Sequence, residues 1–253
     1  MSQQIPNFVN LGLQRFENKK QRMRNLLKIA LPDEALYREI MLSLGYKHNK
    51  LPFLELATLL PYSEVRKIGK REIIEKALLY RAGFITDKSL IPDFFDFSLT
   101  MPKDAWTHKE TRPANYPENR ITQISYLLAE TIEKSIFNFF KEKIESSFCD
   151  ELNNKNIKNI VNHIMSFGGL GRSRKLEMFF NIIVPLYMII YESDKNERMA
   201  IFLKNLIEIY PLTNDYKKLA EKISKKYLKQ ILPLTSFIEF FGLLEFIKDK
   251  GDL

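Results

Sequence analysis

The side chains in this sequence that could do chemistry are mainly cationic, and the most regular group is a row near the end of the chain. The row comprises Lys218, Lys222, Lys225 and Lys229. Residues three or four apart share one face of a helix, so these lysines could bind the phosphates of a nucleic acid. Tyr216 and Tyr227 could add base stacking or could pack at the rim. The alternative is an ordinary solvated face, which every amphipathic helix needs.

A second group surrounds a proline-rich turn with the sequence Arg112-Pro113-Ala114-Asn115-Tyr116-Pro117. Arg112, Asn115 and Arg120 supply many hydrogen-bond donors around this rigid turn. Two interpretations stay open. The turn is either a site for an anion or a partner, or a polar latch in which Arg112 and Asn115 bridge two halves of the chain.

A third group follows the densest glycine cluster, Gly168-Gly169-Leu170-Gly171. Its cations are Arg172, Arg174 and Lys175. Backbone amides at a helix start, with cations nearby, can bind an anion. The Gly-x-x-Gly spacing is also similar to the backbone clamp of some single-strand-binding modules. A helix C-cap followed by a tight turn with solvated charges is the simpler explanation of the same residues.

Histidine and cysteine give little support for catalysis. His48, His108 and His163 are far apart, and none has a partner at metal-ligand spacing. The sequence contains no nucleophile elbow, no phosphate-binding loop and no dinucleotide fingerprint. Folding could bring His163 to Cys149, but isolated residues of these types more often have structural environments. We expect no metal and no cofactor.

Two aspartates need comparison with the carboxylates of metal nucleases. Asp93 and Asp96 lie in the sequence Pro-Asp-Phe-Phe-Asp-Phe, in a proline-rich stretch with no predicted strand around them. Metal nucleases hold acidic residues on rigid elements that converge on a divalent ion. Turn formation or helix capping is therefore the better explanation.

Composition and charge limit the class of protein. The chain has 253 residues, 45% of them hydrophobic, and carries a net charge of +8, which suits a polyanionic partner. A second basic stripe opens the chain, with Arg15, Lys19, Lys20, Arg22, Arg24 and Lys28. The single cysteine excludes an intrachain disulfide and favours a reducing, cytoplasmic location. The start of the sequence lacks a signal-peptide pattern, and the uncharged run from Met178 to Tyr191 is too short for a membrane span.

Hydrophobic periodicity predicts an all-α fold of about ten helices. Apolar residues recur at helical spacing almost throughout, breakers are few, and no alternating strand pattern appears. We expect Asp33 to cap the second helix, one continuous helix from Glu118 to about Phe148, and a kink at Pro185. Prolines and aromatics interrupt the pattern before residue 118. The predicted organisation is a helical lobe over residues 1–90, a proline-rich connection over 91–117 and a second lobe over 118–253.

Five stretches of the chain share the pattern of a known family. They are Leu11-Gly12-Leu13-Gln14-Arg15-Phe16-x2-Lys19, Leu36-Tyr37-x2-Ile40-Met41-x2-Leu44-Gly45-Tyr46-Lys47-x-Asn49-x2-Pro52-Phe53-x2-Leu56-Ala57, Ala77-Leu78-Leu79-x2-Ala82-Gly83-Phe84, Arg112-Pro113-Ala114-Asn115-Tyr116-Pro117-x2-Arg120-Ile121 and Asn181-Ile182-Ile183-Val184-Pro185. Together they resemble a bacterial family known as domain of unknown function 2851. The resemblance covers most of the chain but implies no activity or catalytic residue. Family members often carry, ahead of this region, a segment resembling a restriction-endonuclease-like core, and nothing in this sequence matches that segment.

These observations favour a non-catalytic accessory or nucleic-acid-binding helical domain that acts beside a separate nuclease-like protein. Two alternatives stay open. The chain is a scaffolding protein without nucleic-acid binding, or it is an enzyme with an unrecognised site between the two lobes.

Overall fold

A computed structural model describes residues 7–45, 48–153 and 155–249 of the chain, and it is built from α-helices. Within these residues the only β-type pairing is an isolated antiparallel bridge between Pro211 and Ser236. The all-α prediction is confirmed, with slightly more helices than the ten expected.

The helices are named α1 to α13 in chain order. They are α1 Phe8–Leu27, α2 Pro32–Leu44, α3 Lys50–Leu59, α4 Tyr62–Ile68, α5 Arg71–Arg81, α6 Pro117–Glu130, α7 Ile136–Ser146, α8 Ile157–Ile164, α9 Arg172–Met178, α10 Val184–Ser193, α11 Glu197–Ile209, α12 Asn214–Leu228 and α13 Phe237–Asp249. Between α5 and α6 lies an irregular connecting segment, residues 82–116, which contains two short 3-10 turns.

The helices form two compact units, each drawn from separate stretches of the chain. Unit A comprises residues 26–144 and 165–183, and unit B comprises residues 1–25, 145–164 and 184–253. These units do not follow the predicted lobe boundaries, because unit A contains helices from both sides of residues 91–117. The division into two lobes joined by residues 91–117 stays a prediction.

In unit A, α2 packs on α3, and α5 packs on α6. The facing side chains, which include Leu36, Ile40, Leu56, Leu78 and Ile124, are fully buried. Removing such side chains from water stabilises the fold by about 1.5–3 kcal/mol each. The packing follows directly from the apolar spacing of three and four residues along each helix.

Three local predictions in unit A are wrong or incomplete. Asp33 does not cap α2; its Oδ1 accepts a hydrogen bond from the Phe137 N–H at 2.8 Å, while Pro32 occupies the first turn of α2. The helix expected from Glu118 to Phe148 is two helices, because the chain turns through residues 131–135, where Ser135 has a φ of 70°. The short helix α4 was not predicted.

In unit B, α13 packs against α11 and α12. Aromatic rings fill this contact, with Phe237 lying 5.5 Å from Tyr210 and 4.7 Å from Tyr216 between centroids. Helix α1 approaches α13 closely at Gly12, where a β-carbon would lie 2.0 Å from the carbonyl oxygen of Ile238. Only glycine allows this approach.

The most apolar helical stretch runs from Arg172 to Ser193. By length and composition it could cross a membrane, but 72% of its most apolar window is buried in the protein, and the core helices of soluble proteins meet the same criteria. A π-helical turn, Phe179–Ile183, lies just before Pro185. This wider turn accommodates a residue that lacks an N–H donor, and the kink expected at Pro185 stays a prediction.

Candidate functional site

The row of lysines lies mainly on α12 of unit B, and the packing of that helix determines where the lysines point. Tyr216, Ala220 and Ser224 form its buried face. At 3.6 residues per turn, Lys218, Lys222 and Lys225 fall within about 60° of arc, roughly opposite that face. Burial of one side of α12 therefore directs these lysines into solvent.

We call Lys218, Lys222, Lys225 and Lys229 the lysine face. All four side chains are exposed, as is Lys217 beside them. Lys229 lies one residue beyond α12 and ends it in the left-handed conformation, with φ 55°. Over the described part of the chain, none of these five lysines forms an ion pair or a side-chain hydrogen bond. The lysine face is therefore a cationic surface whose lysines have no paired carboxylate among the described residues.

The two tyrosines near the lysine face differ from the stacking arrangement considered above. Tyr216 is only 7% exposed and packs on Phe237 and Phe240. Tyr227 is half-buried, its hydroxyl accepts a hydrogen bond from Lys226 at 2.9 Å, and the same ammonium lies 4.6 Å from the ring centroid. For Tyr216 the packing alternative is the one the structure supports.

Three of the six cations of the first basic stripe, all on α1, pair with carboxylates inside unit B. Arg15 pairs with Glu245 at 2.7 Å. Lys20, which is only 4% exposed, pairs with Glu192 at 2.5 Å, and Arg24 reaches the same carboxylate at 3.2 Å. These cations bind the protein's own carboxylates and offer little to an external anion.

The polar residues of the proline-rich turn in unit A have two different environments, one hydrogen-bonded within the turn and one exposed to solvent. Arg120 is 7% exposed; its Nη2 donates to Asn115 Oδ1, and its Nη1 donates to Gln123 Oε1 at 2.7 Å. Arg112 begins the 3-10 turn Pro113–Asn115, is exposed, and makes no side-chain hydrogen bond or ion pair with the described residues. Asn115 and Arg120 therefore hold the turn, and Arg112 is available to solvent.

The glycine cluster packs tightly against α6. Gly169 has a φ of 83°, and a β-carbon there would lie 1.9 Å from the carbonyl oxygen of Gln123. The Gly168 N–H donates to Glu130 Oε1 at 2.8 Å. One amide of the proposed anion cradle is thus occupied by a carboxylate of the same unit.

The three cations after the glycines also differ from one another. Arg172 is exposed at the start of α9. Arg174 donates to the Ser43 carbonyl at 3.0 Å and to Glu177 at 2.6 Å. Lys175 donates to the Phe167 carbonyl and lies 4.4 Å from that ring's centroid, and its burial lowers the pKa of its ammonium.

The proline-rich turn and the glycine cluster both contact α6 at Gln123. Gln123 accepts the hydrogen bond from Arg120 through its side chain and contacts Gly169 through its backbone. Most of the polar groups there are satisfied within unit A. Of the named cations, Arg112 and Arg172 remain exposed. The lysine face belongs to unit B.

Cys149 and His163 have different neighbours. Cys149 donates a hydrogen bond to the Glu151 carbonyl at 3.3 Å, and the His163 ring lies 3.5 Å from the Ser146 hydroxyl. Asp96 accepts from the Ser98 N–H and hydroxyl at 2.9 and 2.6 Å; these bonds lower its pKa and form the turn expected for it. No three His, Cys, Asp or Glu side chains gather as metal ligands in the described ranges.

A cavity of about 500 Å³ in unit B bears on the enzyme alternative. Its lining includes Glu208 and Glu239 but no histidine, cysteine or cation. Glu239 Oε2 accepts four hydrogen bonds from the backbones and hydroxyls of Thr235 and Ser236, which is the capping-box arrangement at the start of α13. Its carboxylate is therefore explained by helix capping.

Asn49 and Arg81 are structurally important residues that sequence reasoning did not single out. The Asn49 amide donates to the Thr107 carbonyl at 2.8 Å and accepts from the Thr107 N–H at 2.9 Å. Arg81 is 1% exposed and donates to the carbonyls of Asp96 and Leu99. The sequence did contain a signal that Arg81 is buried, because Arg81 continues the helical spacing of the apolar residues Ile74 and Leu78. The only sequence signal for Asn49 was its place in the second family-like stretch.

In unit A, several residues of the five family-like stretches anchor the connecting segment. Asn49 holds Thr107, and Trp106 donates to the Ala82 carbonyl at 2.9 Å. Gly83 has a φ of 77°, and a β-carbon there would lie 2.2 Å from the Met101 carbonyl oxygen. Several of the recognisable residues therefore serve folding.

Comparison with known proteins gives one match. The family model described as "Protein of unknown function (DUF2851)" matches residues 4–215. No curated protein and no solved structure matches the chain. The match ends before the lysine face, so that surface lies outside the matched residues. Because the match covers most of its length, the chain belongs to the DUF2851 family.

Proposed function

We propose that this chain is a non-catalytic domain that binds nucleic acid through the lysine face of α12. The observation that carries the proposal is the exposure of Lys218, Lys222 and Lys225 on one side of α12 and of Lys229 at its end, with no carboxylate partner among the described residues. Each phosphate that such a surface neutralises releases condensed counterions, which is the main source of non-specific affinity.

The comparison with α1 supports this choice of surface. Both helices are rich in cations in the sequence, but Arg15 and Lys20 on α1 pair with glutamates while the lysine face does not. Exposed Asp215 and Glu221 on α12 form no ion pair with described residues either. Six lysines against two carboxylates over residues 214–229 leave a local excess of positive charge.

The same proposal extends to an accessory role, in which the domain holds nucleic acid for a separate nuclease-like protein. Backbone binding without sequence preference would suit that role, because the partner would supply the chemistry. This extension rests on the family resemblance.

The test measures binding of labelled DNA and RNA by fluorescence anisotropy at about 50 mM salt, with dissociation constants expected in the micromolar range. Replacing Lys218, Lys222, Lys225 and Lys229 by glutamine should weaken binding at least about tenfold. The matched control replaces four scattered, exposed lysines, Lys50, Lys67, Lys103 and Lys158, by glutamine. This control removes the same charge and should change affinity by less than about threefold.

Circular dichroism and thermal unfolding establish that both variants fold. Equal losses of affinity in the two variants would show that net charge alone drives binding and that the lysine face is not a site. Absence of binding at low salt with micromolar protein would reject the proposal and leave scaffolding as the better account.

A further inference from the structure

Helix α12 offers several exposed lysines but no fully exposed aromatic ring. On α12 the aromatic residues are Tyr216, buried against Phe237 and Phe240, and Tyr227, half-buried and covered by the Lys226 ammonium. Proteins that bind single strands stack bases on exposed rings, at about 1–3 kcal/mol per base. The lysine face lacks this contribution.

Apart from its lysines, the helix also offers few of the side chains that read base edges. No arginine or glutamine occurs on α12, and its only amide side chain, Asn214, is at the first position of the helix. Arginine or lysine can read guanine in the major groove, and asparagine or glutamine can read adenine. Lysine lacks the planar fork of arginine and is a compact point charge on a flexible stem, which suits it to phosphates. Contact through α12 is therefore contact with the sugar–phosphate backbone.

Charge density decides which backbone fits better. The lysine face extends over about 16 Å at 1.5 Å per residue. A duplex carries one phosphate charge per about 1.7 Å of axis, whereas each strand contributes one per about 3.4 Å. Over the same length the duplex presents about twice as many phosphates, and each contact releases more counterions.

From these three observations we infer that the lysine face is selective for double-stranded nucleic acid, recognised by its phosphate backbone without sequence preference. The inference rests on the proposed function and specifies its ligand. Four duplex contacts give a slope of log K against log salt near about −3.6, and four single-strand contacts give about −2.8. If the two binding constants are taken as equal at 1 M salt, this difference in slope makes the binding constant for the duplex about tenfold larger at about 50 mM salt.

The experiment compares a 20-base-pair duplex with its two separated strands, chosen free of hairpins, by anisotropy between about 50 and 200 mM salt. Duplex binding should be about tenfold tighter at the lowest salt and should weaken about 150-fold over this range. A second duplex of different sequence should bind equally well. Lys218→Gln should reduce the duplex slope by about 0.9.

Tyr227→Leu tests the stacking argument directly, because it removes the one partly exposed ring of α12 and leaves every lysine of the face. Its single-strand affinity should equal that of the wild type. Single-strand binding as tight as duplex binding, or a loss of more than about fivefold in Tyr227→Leu, would overturn the inference and leave the proposed function standing. Failure of both duplex and single strands to bind would instead reject the proposed function.

Discussion

Replacing Arg81 by methionine should loosen the connecting segment, and its contacts set the size of the effect. Nη1 of Arg81 donates to the Asp96 carbonyl at 2.7 Å and to the Leu99 carbonyl, and the guanidinium carbon lies 4.2 Å from the centroid of the Phe95 ring. A hydrogen bond from a charged donor contributes about 1.5–3 kcal/mol. A cation–π contact adds about 0.5–2 kcal/mol.

Burial works against these gains. Desolvation lowers the pKa of Arg81 despite attraction from Glu64 and Asp96, so the charged form is less favoured in the fold than in water. Methionine avoids that cost and fills part of the space, but it leaves the two carbonyls without their donor. We therefore expect a net loss of about 2–4 kcal/mol in the free energy of unfolding.

Urea unfolding and limited proteolysis measure this effect together. Arg66→Met is a matched control in the same unit, because Arg66 also donates to a backbone carbonyl, that of Ile132 at 3.0 Å, but is exposed. The control should change stability by no more than about 0.5 kcal/mol. Arg81→Met should also increase cleavage within residues 82–116, because local opening of that segment becomes easier.

Arg81→Lys separates charge from geometry. Lysine keeps the positive charge but lacks the planar fork, so an intermediate loss is expected. If Arg81→Met unfolded at the same urea concentration as the wild type and resisted protease equally, Arg81 would not be the anchor of the connecting segment, and the reasoning from its contacts would be refuted.

Two further predictions concern stability. Arg120→Ala should lose about 1.5–3 kcal/mol in chemical denaturation because it removes the bonds to Asn115 and Gln123, whereas Arg112→Ala should lose no more than about 0.5 kcal/mol; equal losses would contradict these roles. Burial raises the pKa of Glu239, but hydrogen bonds from Thr235 and Ser236 outweigh it and lower the pKa below its usual value. Glu239→Gln keeps the cap but removes the charge. The wild type should therefore have a larger free energy of unfolding than Glu239→Gln at neutral pH, and this difference should shrink as pH falls from about 6 to about 3. A difference that stays constant with pH would show that the charge contributes nothing.

Helix type, and some boundaries, follow from local sequence alone. The apolar spacing over Arg71 to Arg81, followed by Gly83, predicts a helix, and α5 has those bounds in the structure. Its apolar residues recur at helical spacing, and Gly83 takes the left-handed conformation just beyond its end. Both signals lie within a few residues of one another, so they need no knowledge of the rest of the fold.

The break between α6 and α7 is different, because contacts from distant residues stabilise it. The Tyr62 hydroxyl donates to the Thr131 carbonyl across 69 positions of sequence, and Asp33 accepts from the Phe137 N–H across 104. The local sequence has no glycine or proline at this turn. The apolar pattern continues through this turn, so the sequence predicted one helix where the structure has α6 and α7.

The sequence by itself determined the all-helical fold and the presence of two cationic stripes, because both depend on spacing within single helices. It could not determine which stripe is available to a ligand. Lys20 and Glu192 are 172 positions apart in sequence yet 2.5 Å apart in the structure, while the lysine face has no such partner among the described residues. Charge pairing depends on distances that only tertiary packing creates, so the difference between α1 and α12 was decided by the fold.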